Sequence, residues 1–216
     1  MTTEHKRAED LPLEFKLVSA AQVPLAYAIE IQEYPESEAA SLKNLVFRQA
    51  AAPELFLGCY LRKQDQEQHQ HGEDAPGLNP KPSTIDHNAN PKEDEDTSLL
   101  VGYIVSTLVS GDNLTHDSMS SHDPSGNAVC IHSVCISSAF QRRGVATRML
   151  KEYLQHLQRL NNSNSHASSA KLKRVLLIAH EHTIGLYSGV GFVLVGKSSV
   201  EHGPDPWFEM VHNLDH

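Results

Sequence analysis

Cysteine is scarce in this sequence. Cys59, Cys130 and Cys135 are the only three among 216 residues, an odd number with no metal-ligand spacing. That excludes a disulfide-stapled scaffold and a cysteine-built zinc site, and it implies a reduced, cytosolic setting. Long hydrophobic runs are missing too: no stretch approaches the ~20 apolar residues of a membrane-spanning helix. The first ten residues are polar and mixed in charge, without the apolar centre of a secretory signal. Cations are in deficit, with 18 Lys and Arg against 27 Asp and Glu and a formal net charge of −9. Such a chain is ill-suited to wrapping a nucleic-acid backbone, whose phosphates need clustered cations. His69 with His71 and His180 with His182 come nearest to metal-ligand spacing. Neither pair gathers a convincing ligand set with a carboxylate or thiol, so no metal is expected.

What is present suffices for one core. Hydrophobic residues make up 39%, low for a fully globular chain of this length, and the dilution is local. Residues 64–98 hold nine acids against two bases, four prolines and four apolar residues. That window carries −7 of the chain's −9, so the acidity of the whole says little about a site in the rest. A segment so polar cannot bury enough apolar surface to offset its ordering entropy, and it is expected to be a disordered insert. A solvated loop, a flexible gate and a partner tail all fit its composition. A second polar loop is expected over 161–171, which opens NNSNSHASSA. Residues 1–216 then form a single domain, expected to be a monomer.

Hydrophobic periodicity lays out the elements. A strand is expected at Phe15–Val18, followed by a Ser19-x-x-Gln22 capping box that opens a helix through Glu33. Tyr34-Pro35 ends it, and Ser37 is a cap for a second helix carrying Leu42, Leu45, Val46 and Gln49. Strands are expected at Leu55–Leu61, Leu99–Leu108 and Ala128–Ile136, with a loop over Thr115–Asn127. The clearest helix follows, because Ala146, Met149, Leu150, Tyr153, Leu154 and Leu157 recur at helical spacing. A strand at Arg174–Ala179, a short helix at Thr183–Val190 and strands at Phe192–Val195 and Trp207–Val211 complete an α/β (α+β) sheet domain.

One junction carries chemistry. After the strand ending at Ile136, a helix opens at Gln141-Arg142-Arg143-Gly144-Val145-Ala146-Thr147. A helix N-terminus offers unpaired N–H groups and partial positive charge. Gly144 and Ala146 lack bulk, so a pyrophosphate can approach those amides, and Arg142 and Arg143 add cationic charge. By itself this is also what an ordinary basic helix start looks like. Some forty residues on, Leu186-Tyr187-Ser188-Gly189-Val190-Gly191-Phe192 gives L-Y-x-x-x-G-F.

The pair Q-R-R-G-V-A and L-Y-x-x-x-G-F, in this order, resembles the GNAT superfamily of acyl-CoA-dependent N-acetyltransferases. The stretch from Glu33 to Tyr60, with its APELFLG run, together with GDNLTHDSM and WFEMVHNL, is similar to the arylalkylamine (serotonin-type) N-acetyltransferases, especially the fungal members. The resemblance covers Phe15–Leu214 apart from the two polar segments. It implies a mixed sheet of about seven strands flanked by about four helices, with acetyl-CoA as co-substrate. The acceptor it implies is a small amine, arylalkylamine or polyamine. It also implies that Gln141, Arg142, Arg143, Gly144, Val145, Ala146 and Thr147 hold the pyrophosphate, and that Val134, Cys135 and Ile136 pair with the pantetheine arm. His132 would be the general base and Tyr187 the acid toward the thiolate. Vertebrate members carry a second histidine where this chain has Cys130, so a two-histidine relay is not implied. Water, His180 or Glu33 remain as other routes for the proton. A non-catalytic acyl-CoA-binding module and a protein-directed acetyltransferase are the rival functions.

Overall fold

The computed structural model describes residues 7–62, 98–111, 114–163, 171–200 and 204–214. Seven strands form one sheet: β1 (Leu13–Leu17), β2 (Phe56–Leu61), β3 (Leu99–Val109), β4 (Ala128–Ile136), β5 (Arg174–His180), β6 (Val193–Lys197) and β7 (Trp207–Asn213). Their order is β1-β2-β3-β4-β5-β7-β6. Every neighbouring pair is antiparallel except β4 and β5. That one parallel pair follows from the crossover helix between them, as parallel strands require.

Among the described residues five α-helices flank the sheet: α1 (Val23–Glu33), α2 (Leu42–Ala51), α3 (His116–Ser120), α4 (Val145–Ser163) and α5 (Ile184–Ser188). The periodic residues Met149, Leu150, Tyr153, Leu154 and Leu157 bury α4 against one face, together with Tyr187 and Val190 from the α5 segment. On the other face α1 and α2 cover Phe56, Tyr103, Val105 and Cys135 through Val23, Ala26, Ile29 and Leu45. All three cysteines are buried and free.

The capping box at Ser19 and Gln22 forms as expected, although its first turn is 3-10 and the α-helix starts at Val23. Three expectations are corrected. The cap of α2 is Ser41, whose hydroxyl accepts the Asn44 N–H at 3.2 Å, and not Ser37. The loop at Thr115–Asn127 contains α3, capped reciprocally by Thr115 and Ser118. Asn161–Ser163 belong to the end of α4, where the Asn161 side chain holds both backbone groups of Leu172 at 2.8 Å. The rest of that polar loop and nearly all of the 64–98 insert lie outside the described residues.

Leu61 and Leu99 face each other across β2 and β3, so the ends of the insert meet as a hairpin. Deleting residues 64–97 and closing that hairpin with a short turn is expected to keep kcat/KM within about tenfold, because loop length acts on stability only logarithmically. Steady-state kinetics and thermal unfolding of the shortened chain check this. A larger loss would bring the insert into the site.

Candidate active site

The site begins where the sheet comes apart. β4 and β5 pair over three positions only, Ala128–Cys130 with Arg174–Leu176. Beyond Cys130 the described residues give β4 no strand partner on that side, although it continues to Ile136. A cleft of about 1060 Å³ occupies this split, a size suited to an extended cofactor together with a small acceptor.

The turn before α4 forms one part of the wall. Gln141, Arg142, Gly144, Val145, Ala146 and Thr147 line the cleft. The helix starts at Val145, four residues later than the sequence suggests, because Arg142 (φ 59°) and Gly144 (φ 85°) are left-handed. The N–H groups of the first helical turn have no partners inside the helix, a geometry that can accept an anion. The turn is braced from behind. Glu33 accepts the Ser138 N–H at 2.7 Å and the Gln141 amide at 2.8 Å, and the Arg143 carbonyl accepts the Ala8 N–H at 2.8 Å. Arg143 itself is not part of the lining; its guanidinium lies 5.6 Å from the Phe140 ring centroid. Cys135 is also outside the lining, buried toward α1 and α2, while Val134 and Ile136 line the cleft.

His132 is placed by a β-bulge. Val105 pairs with Ser133 but Ser106 pairs with Ile131, so β4 carries one extra residue here and His132 is that residue. The Thr107 hydroxyl donates to the Ser121 carbonyl at 3.1 Å, so its oxygen accepts Nε2–H of His132 at 2.8 Å. That leaves the lone pair on Nδ1, 3.9 Å from Cys130 Sγ. Burial, and secondly the Arg48 guanidinium, hold the imidazole well below the usual histidine range, so it is neutral at pH 7. The Cys130 thiol, pushed up to about 12 by burial, donates toward Met119 Sδ at 3.5 Å and stays protonated.

Tyr187 lines the same cleft, buried with its ring edge-on to Phe192 at 5.8 Å. Burial raises its phenol well above the ordinary tyrosine value, so it keeps its proton. His180 is paired with Glu38 Oε2 at 3.0 Å and packed 3.8 Å from the Trp207 ring, which ties the α1–α2 loop to β5 across the cleft.

Three of the lining residues that sequence reasoning did not nominate carry polar chemistry deep in the fold. Tyr34, read only as a helix stop, donates its hydroxyl to the Val134 carbonyl on the open edge of β4 at 3.0 Å. Glu30, a buried carboxylate, accepts hydrogen bonds from the Tyr103 hydroxyl, from the Ser133 hydroxyl at 3.0 Å and from the Ala40 N–H at 2.8 Å. Arg48 enters the cleft from α2. A polar residue within an apolar helix was the signal for Glu30; nothing in the sequence marked the other two. Among the described residues no group of His, Cys, Asp and Glu could hold a metal ion, and no helix is long and apolar enough to cross a membrane.

The profile of the acetyltransferase (GNAT) family matches residues 50–192. Serotonin N-acetyltransferase of Mesocricetus auratus is 26% identical over 115 residues, 53% of this chain and 51% of that protein. The Homo sapiens enzyme of the same name is 23% identical over 111 residues, 51% of this chain and 49% of that one. The chain thus spans about half the length of the curated relatives it matches. Among solved structures, the loading GNATL domain of CurA from Lyngbya majuscula superposes with a TM-score of 0.63 at 12% identity, over 94% of this chain and 98% of that one. The GphF GNAT-like decarboxylase in complex with isobutyryl-CoA gives 0.62 at 13% identity, over 94% and 100%. The NatC complex bound to Gag peptide and CoA gives 0.61 at 12% identity, over 95% and 100%. At these identities the likeness is one of fold.

Proposed function

Because the chain belongs to the acetyltransferase (GNAT) family, we propose that it is an acetyl-CoA-dependent N-acetyltransferase that acetylates a small primary amine by direct attack in a ternary complex. One observation carries this reading: a single cleft gathers the open amides before α4, a neutral His132 and a protonated Tyr187. The residues fit the co-substrate. Amides of Gly144, Val145, Ala146 and Thr147, with Arg142 beside them, would hold the pyrophosphate, and Val134 and Ile136 would flank the pantetheine arm. When bound, the thioester supplies an activated acetyl group.

The chain's own groups manage two protons. A primary ammonium has a pKa near ~10 and must lose a proton before its nitrogen can attack. His132 receives that proton at Nδ1, directly or through water, while Thr107 holds the ring by its other nitrogen. Tyr187 delivers its phenolic proton to the departing sulfur, which lowers the cost of expelling a thiolate. Glu33 acts by fixing the β4–α4 turn, and His180 by closing the cleft with Glu38.

Thiol release from acetyl-CoA with tryptamine, phenylethylamine, spermidine and a peptide amine tests the reading. Tight CoA binding without release from any acceptor would leave a non-catalytic binding module. Release with the peptide alone would make the protein-directed enzyme the better description. Tyr187→Phe keeps the ring and its contact with Phe192, so acetyl-CoA affinity is expected to persist while kcat falls about 10²-fold or more. A thioester with a better leaving group should recover part of that loss, because it demands less protonation. An equal defect with both thioesters would remove Tyr187 from the acid role.

A further inference from the structure

Arg48 is the unexplained charge in this cleft. It lies one helical turn after Asn44 on α2; both line the cavity, and Arg48 is half-buried. The inner acids of the lining are already engaged. Glu30 has three donors, Glu38 has His180, and Glu33 has Ser138 and Gln141. Among the described residues the Arg48 guanidinium makes neither an ion pair nor a hydrogen bond, although the Glu30 carboxylate acts on it electrostatically. The other lining guanidinium, Arg142, is exposed before α4.

A guanidinium drawn partly out of water loses hydration that an opposite charge replaces best. Its planar fork of N–H donors matches the two oxygens of a carboxylate. We propose that Arg48 is a specificity-determining residue that binds a carboxylate on the acceptor amine, so that the preferred acceptor is a small amino acid and neither a neutral arylalkylamine nor a polyamine. This rests on the acetyl-transfer reading above. Arg48 and His132 line the same cleft, and the guanidinium acts electrostatically on the imidazole. A carboxylate held at Arg48 would keep an amine a few bonds away inside the cleft that His132 lines. A polyamine would bring further positive charge toward the same guanidinium.

The test uses the full chain and matched acceptor pairs: phenylalanine against 2-phenylethylamine, 4-aminobutyrate against butylamine, and O-phosphoethanolamine against ethanolamine. Thiol release gives kcat/KM, and calorimetry in the presence of CoA gives acceptor affinity without turnover. The carboxylate member of at least one pair is expected to be favoured about ten- to a hundredfold, the worth of a hydrogen bond to a charged group. In Arg48→Met that ratio should fall to near one, and Arg48→Lys should recover part of it. If the neutral amines are used as well or better and Arg48→Met lowers both members alike, Arg48 only tunes His132 and the proposal is overturned. A preference confined to the phosphate pair would replace the carboxylate by a phosphate and overturn it too. A loss of CoA affinity in Arg48→Met would assign the residue to the co-substrate instead. Should no acceptor release thiol, the transferase reading fails alone; a calorimetric carboxylate preference abolished in Arg48→Met would still uphold the anion site.

Discussion

Replacing His132 by Ala is expected to lower kcat by about 10²–10⁴-fold at pH 7, the usual worth of a positioned general base. The loss should shrink as pH rises, because a larger fraction of the acceptor is then free amine and needs no base. The parent's own profile has a predictable sign. Burial and Arg48 depress the His132 pKa, so lowering the pH to 6.5 does not charge the ring, and activity there falls only as the small free-amine fraction of the acceptor shrinks. A kinetic limb with its midpoint near the ordinary histidine value would mean that His132 is more solvated than its surroundings indicate. Near-full activity of the Ala variant at pH 7 would send the proton through solvent, Glu33 or His180. Cys130→Ala is a useful companion, since its buried thiol keeps its proton and faces Met119.

The second large effect belongs to Gly144. Its φ of 85° is a conformation that costs an L-residue roughly 1–2 kcal/mol, and a β-branched side chain tolerates it least. Space is not the obstacle, because a Cβ added here would meet only the Ala8 Cβ, at 3.8 Å. Gly144→Val is therefore expected to rotate the turn and withdraw the amides of α4, raising the KM for acetyl-CoA by about ten- to a hundredfold. Gly144→Ala should show a smaller rise of the same kind. Acetyl-CoA binding by the Val variant as tight as the parent's, measured by calorimetry, would mean that the pyrophosphate is held elsewhere. Arg142→Ala should act more mildly and in a salt-dependent way, since an exposed charge is screened.

Much of this protein was legible in the order of its residues. The apolar run Ala128–Ile136 is a strand to the residue, and the spacing of Met149, Leu150, Tyr153 and Leu157 dictates a half-buried helix, because both patterns are local consequences of backbone period. His132 and Tyr187 were nominated by the family resemblance, and both line the same cleft. The corrections come from forces that act across the fold. Ser37 does not cap α2 because its loop is held by distant partners: Glu38 by His180, 142 residues away, and the Ala40 N–H by Glu30. The helix expected at Gln141 starts at Val145 because two left-handed residues turn the chain first. Strict alternation along β4 cannot foresee a bulge, yet the bulge is what sets His132 apart as the extra residue opposite β3. Arg48, Glu30 and Tyr34 were ordinary helical or helix-end residues in the sequence. They acquired chemistry only when α1 and α2 packed over β3 and β4, since a charge gains meaning from the water it loses and the partner it meets, and neither is encoded in its near neighbours.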